Sequence, residues 1–134
     1  MKLKYLILAL ITLVIGACKK ELDVKVPDFE VSASTVTVTA GQPVIFNFQG
    51  NANNIAFYSG ENLKDYTFSA PATREVTNLP DRPTILKGYG DPSIPSYTYT
   101  YKTAGTYTAT FVVSNATIDQ TKEVVKQIEI TVTP

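Results

Sequence analysis

Side chains able to do chemistry are few in this chain, and the most informative is a lone thiol. Cys18 is the single cysteine, and there is no histidine. One thiol cannot close an intramolecular disulfide. Without histidine, most zinc sites, the Ser-His and Cys-His nucleophile systems and the commonest general base are gone. Twelve Asp and Glu remain. Glycosidase chemistry needs two carboxylates roughly 5–10 Å apart, a distance that sequence does not fix, and acids on a small domain are ordinarily solvated. A non-catalytic protein is expected. Glu61, Asp65, Asn51, Asn53 and Asn54 carry oxygens of the kind Ca²⁺ takes about six to eight of. They lack EF-hand spacing, and asparagine-rich stretches usually make turns, so neither a metal nor a cofactor is expected. Arg82, Tyr89 and Asp91 bring a cation, a ring and a carboxylate close to Gly88 and Gly90. That set could meet a sugar or a peptide, and it forms the candidate ligand-binding site.

The position of Cys18 points to a different chemistry. Lys2 and Lys4 make a short positive start, and Tyr5 to Ala17 is an uncharged, almost wholly apolar run of 13 residues. That is the plan of a secretory signal peptide. A transmembrane helix needs about 20 apolar residues, and this run meets Lys19, Lys20 and Glu21 first, so it directs export without spanning. Ile15-Gly16-Ala17-Cys18 resembles the lipobox of bacterial lipoproteins. The resemblance implies a leader of residues 1–17 cut before Cys18, a diacylated thiol, an acylated new amine, and attachment to the membrane through these chains. Each buried methylene is worth about 0.8 kcal/mol, so several chains hold permanently. Lys19 is not the aspartate that retains some lipoproteins at the inner membrane, which implies a lipid anchor in the outer membrane; Lys19 does not fix the facing side, and the cell surface is the side expected.

Without residues 1–17, which carry Lys2, Lys4 and no acid, ten basic groups face twelve acidic ones across 117 residues, a net charge of about −2. That length suits one domain. The absence of a basic cluster argues against nucleic acid as a partner, leaving the membrane, envelope proteins or glycans.

Residues 18–28 read as a lipidated tether, closed by Pro27, and residues 29–134 as one all-β domain. Phe29-Glu30-Val31 begins a strand, and Thr35 to Thr39 alternates apolar and hydroxyl residues at period two. Ala40-Gly41-Gln42-Pro43 makes a turn. Val44, Phe46 and Phe48 form one apolar face, Gly50 to Asn54 reads as a turn, and Ile55 to Tyr58 as a strand. Tyr97, Tyr99 and Tyr101 fall on one face, the chain turns at Ala104-Gly105, and Tyr107, Ala109, Phe111 and Val113 fall on one face of the next strand, which reads as a hairpin. The tyrosine stripe suits core packing better than a sugar platform. Asn115 to Gln120 loops, and Val124, Ile128, Ile130 and Val132 mark the last strand. In the 35 residues from Asn62 to Ser96, which carry five prolines, Tyr66-Thr67-Phe68 and Thr84-Ile85-Leu86 are expected as hidden strands, since unstructured loops beyond about 12–15 residues are uncommon. About seven strands and no helical period in the mature chain predict an antiparallel β-sandwich.

Thr39 to Phe46 and Tyr99 to Phe111 resemble the second-strand and penultimate-hairpin signatures of PKD (polycystic kidney disease) domains, which are immunoglobulin-like sandwiches. The resemblance implies that Tyr107 is a tyrosine corner. In place of the family's aromatic-x-Phe-Gly-Asp-Gly stands Phe57-Tyr58-Ser59-Gly60-Glu61-Asn62, with Phe57 for the tryptophan, Gly60 kept and Glu61 for the aspartate. That variant is similar to a group of surface lipoproteins from glycan-harvesting Gram-negative bacteria, whose PKD-like domain is catalogued only as a domain of unknown function. Many members continue into a second β domain, which is not expected in this chain; if that domain carries their binding activity, the resemblance implies location and fold but not a ligand. The expected function is therefore a lipid-anchored, non-catalytic adhesion, spacer or protein-interaction module, with glycan binding in a polysaccharide-uptake system as the alternative.

Overall fold

Alternation of apolar and polar residues becomes eight β-strands in the structure, a computed structural model that describes residues 23–61 and 83–134. The strands are β1 (Asp28–Ala33), β2 (Thr37–Thr39), β3 (Pro43–Asn51), β4 (Asn54–Tyr58), β5 (Thr84–Lys87), β6 (Ser96–Thr100), β7 (Gly105–Ala116) and β8 (Thr121–Thr133). One sheet has the order β1-β3-β6 and the other β2-β8-β7-β4-β5. Neighbours run antiparallel except β2 and β8, which pair in parallel from Thr37 with Thr131 to Thr39 with Thr133. The described residues contain no helix.

The two sheets bury their apolar faces on one another. Phe46 of β3 packs across the gap on Phe57 of β4 and Phe111 of β7, with ring centroids 5.7 and 5.1 Å away. Phe57 and Phe111 are themselves cross-strand partners at 5.1 Å. Val44, Ile55, Val113, Ile130 and Val132 extend this core along the sandwich. Period-two alternation holds best on β3 and the second half of β8, whose outer face is solvated. It fails on β7, where Thr110 is buried on the outer face and its Oγ1 accepts a hydrogen bond from Gln127.

The structure changes three local expectations. Tyr97–Tyr101 and Gly105–Val113 do not form a hairpin: β6 pairs with β3 in one sheet, and β7 pairs with β4 and β8 in the other. The chain crosses the sandwich between them, because Tyr101 turns fully into the core while its carbonyl accepts from Gly41 N–H of the β2–β3 turn. Gly50 lies within β3, opposite Phe29, not in a turn. The connection between β7 and β8 is only residues 117–120, closed by Thr117 N–H donating to the Gln120 carbonyl. Of the two hidden strands expected in 62–96, Thr84–Leu86 lies in β5, paired with β4, and Tyr66–Phe68 lies outside the described residues. Within the segment expected as a tether, Val24 and Pro27 are already buried, and Asp28 opens β1.

Two glycines show where side chains are forbidden. Gly41 has φ +85 with open space around a would-be Cβ, whereas at Gly50, with φ +88, that atom would lie 1.9 Å from the Asp28 carbonyl oxygen. Gly41→Ala should cost about 1–2 kcal/mol from the left-handed backbone alone. Gly50→Ala should cost at least twice as much, because β1 must move away from β3. Denaturant midpoints of the two variants against the parent check this order.

Candidate functional site

Of the sequence candidates, Tyr89, Asp91 and the asparagines at 51, 53 and 54 fall at one end of the sandwich, where β3, β5 and β7 end and β4 and β8 begin. Arg82 and Asp65 lie outside the described residues. Tyr89 and Asp91 belong to a tight turn just after β5. Asp91 Oδ2 accepts from Gly88 N–H at 2.7 Å, and Asp91 N–H returns a bond to the Gly88 carbonyl at 3.2 Å. Gly90, at φ +87, completes that turn. The Asp91 carboxylate is thus engaged in holding the loop, while Tyr89 stands 76% exposed. Tyr89 lines a shallow, open depression with Asn54, Ala116, Thr117 and Ile118. The residues that join it come from β4, the end of β7 and the β7–β8 loop, and no local motif marks them.

The asparagines at this end serve the fold. Asn115 accepts from Asn53 N–H at 3.0 Å and donates to the Lys25 carbonyl at 3.1 Å, tying the N-terminal segment to the β3–β4 turn. Asn54 donates to Ser114. Lys87, on β5, is 7% exposed, and its ammonium donates to the Ala52 carbonyl and to Asn51 Oδ1. A charge that far from water requires such partners, and nothing in the local sequence marked Lys87 as buried. A small cavity beside it, of about 10 Å³, is lined by Phe29, Ile55, Ser93 and Ile94 among others, about the size of one water. Among the described residues, no group of His, Cys, Asp and Glu is placed to hold a metal ion, and Glu61 and the asparagines do not converge.

A second polar cluster sits toward the opposite end, where Phe57-Tyr58-Ser59-Gly60-Glu61 meets the tyrosine stripe. Tyr97, Tyr99 and Tyr101 point inward, and the rings of Tyr97 and Tyr99 both lie 5.1 Å from Phe57. The Tyr101 hydroxyl donates to the buried Ser59 carbonyl at 3.0 Å, and the Tyr99 hydroxyl to Glu61 Oε2 at 2.6 Å. Ser59 Oγ accepts from Glu61 N–H at 3.2 Å, and Gly60, at φ +78, lies against the Thr108 backbone. Tyr107 stacks on Tyr101 at 4.8 Å and donates to the Thr103 carbonyl at 2.9 Å, the tie-back expected of a tyrosine corner. In this structure the stripe packs into the core.

Burial raises the pKa of Tyr97, Tyr99 and Tyr101 above the ordinary 10.0; at Tyr99 the Glu61 carboxylate adds to the effect. A pKa raised on folding contributes stability that is whole below the unfolded value and is lost as pH climbs above it. The protein should keep its stability to about pH 10 and lose it beyond, with Tyr101, the most deeply buried of the three, the last to ionise. Tyr101→Phe should soften that alkaline loss and cost about 1–2 kcal/mol at neutral pH, by leaving the Ser59 carbonyl unpaired. Tyrosinate absorbance, followed beside the unfolding signal, checks both.

The family described as Domain of unknown function (DUF5017) matches the chain over residues 17–123. No curated protein matches it.

Proposed function

The chain belongs to the DUF5017 family, whose description assigns no activity, and from its own residues we propose that it is a lipid-anchored, non-catalytic envelope protein whose β domain acts as an adhesion, spacer or protein-interaction module. The observation that carries this reading is Cys18 itself: the single thiol stands directly after the apolar run and the Ile15-Gly16-Ala17 triplet. The leader, residues 1–17, is removed, Cys18 carries the acyl chains, and the domain sits at the outer membrane, at the cell surface.

Its architecture is of the immunoglobulin-like, PKD type. This is supported by the crossing from β6 to β7 between sheets, by the parallel pairing of β2 with β8, and by the Tyr107 hydroxyl on the Thr103 carbonyl. The non-catalytic reading is supported by what several acids do: Glu61 holds Tyr99, Asp91 holds its own turn, and Glu30 pairs with Lys126 at 2.7 Å. These are contacts that shape a domain. Glycan binding is the second reading, and the exposed ring of Tyr89 is what favours it. If that ring carries it, Tyr89→Ala abolishes retardation of the protein in a polysaccharide-containing gel, and a parent protein retarded by no glycan removes it.

In a host that processes lipoproteins, the parent should incorporate labelled fatty acid and partition into detergent, and Cys18→Ala should do neither. Label retained in Cys18→Ala would overturn the anchor.

A further inference from the structure

The end of the domain that carries Tyr89 is also where the chain leaves toward Cys18. Val24 is buried, and Lys25 is fixed by Asn115, one residue before the end of β7. Six Cα steps separate Cys18 from Val24, no more than about 22 Å of fully extended chain. The thirteen residues of β8 alone span about 40 Å. An acyl group on Cys18 therefore holds this end, and not the Gly41–Tyr101 end, close to the bilayer.

That end carries exposed apolar side chains. Of the six exposed large apolar side chains among the described residues, three lie there: Val26 at 60%, Tyr89 at 76% and Ile118 at 102%. Ile118 stands at the tip of the β7–β8 loop and shares its depression with Tyr89. Around them Asp23, Asp28, Asp91 and Asp119 outnumber Lys25 and Lys122, so a basic surplus is not what brings this end to the bilayer, and a zwitterionic surface, which repels an acidic one less than an anionic surface does, is the one to test. Tyrosine fits such a layer because its ring enters the apolar side while its hydroxyl stays wet.

We propose that this end is a second membrane contact, in which Ile118 and Tyr89 insert into the headgroup–acyl boundary of the leaflet holding the Cys18 acyl chains. The proposal rests on the lipid-anchor reading above. It assigns the depression around Tyr89 to lipid, and it fixes the domain upright with the Gly41–Tyr101 end farthest from the bilayer.

The chain has no tryptophan, so one introduced indole reports a single place. Ile118→Trp and Tyr89→Trp put it at the proposed contact on exposed positions, and Gln42→Trp puts it at the far end. Each full chain is produced with labelled fatty acid in a lipoprotein-processing host and reconstituted into phosphatidylcholine vesicles with plain or brominated acyl chains. Interfacial side chains lie about 5–10 Å into the headgroup–acyl boundary, so the two contact reporters should emit to the blue of Gln42→Trp and lose about half or more of their emission to brominated lipid. Gln42→Trp should lose none. Labelled protein whose contact reporters are neither shifted nor quenched overturns the docking and leaves the anchor intact. Unlabelled protein overturns the anchor and the docking with it. Contact reporters that respond to an added soluble oligosaccharide and not to brominated lipid assign the depression to glycan and overturn the membrane contact.

Discussion

The fold depends on one contact between three rings. Phe46 comes from one sheet, Phe57 and Phe111 from the other, and their mutual packing is what makes two sheets into one body. Rings of this size bury about 150–250 Å² each, and all three are fully or almost fully withdrawn from water. Everything else is arranged to keep them there. Phe48 and Phe29 continue the aromatic layer toward the Tyr89 end, and Tyr97, Tyr99 and Tyr101 continue it toward the other.

That layer also explains where polar groups can be afforded. Tyr99 and Tyr101 bring hydroxyls into the apolar layer, and each is answered, by Glu61 and by the Ser59 carbonyl. The segment after β4 is therefore held by the core it borders, which gives the Ser59-Gly60-Glu61 sequence a structural meaning. Lys87 shows the same logic at the opposite end, its ammonium answered by Ala52 and Asn51. The ion pair between Lys126 and Glu30 is of another kind: it is exposed, and such pairs contribute at most about 1 kcal/mol.

Much of this was legible in the sequence, because period-two alternation states which face of a strand is buried. Phe46, Phe111 and Val113 were readable as members of apolar faces for that reason, whereas Phe57 was placed only within a strand. Alternation does not state which strand lies alongside. The tyrosines of β6 and the apolar positions of β7 look like a hairpin, and only the inward turn of Tyr101 shows that the chain has changed sheets. Gly50 misled in the same way: glycine marks turns, but here it marks the close approach of the Asp28 backbone. The candidate site was half legible. Tyr89 and Asp91 are neighbours in a visible turn signal, yet Ile118 and Asn54 reach the same depression from a distant loop and a distant strand, and the commitment of Asp91 to Gly88 depends on a loop geometry that composition cannot state.

The parallel pairing of β2 with β8 has a mechanical consequence. Residue 24 and residue 133 lie at opposite ends of the sandwich, so a pull between them drags β1 along β3 and β2 along β8, parallel to the strand axes. Bonds loaded in that direction share the force and must give way together, whereas strands peeled from one end part a bond at a time. Three residues, Thr37 to Thr39, lie alongside Thr131 to Thr133 and carry part of that load. A domain tugged at its far end while its near end is held would be braced by its shortest strand.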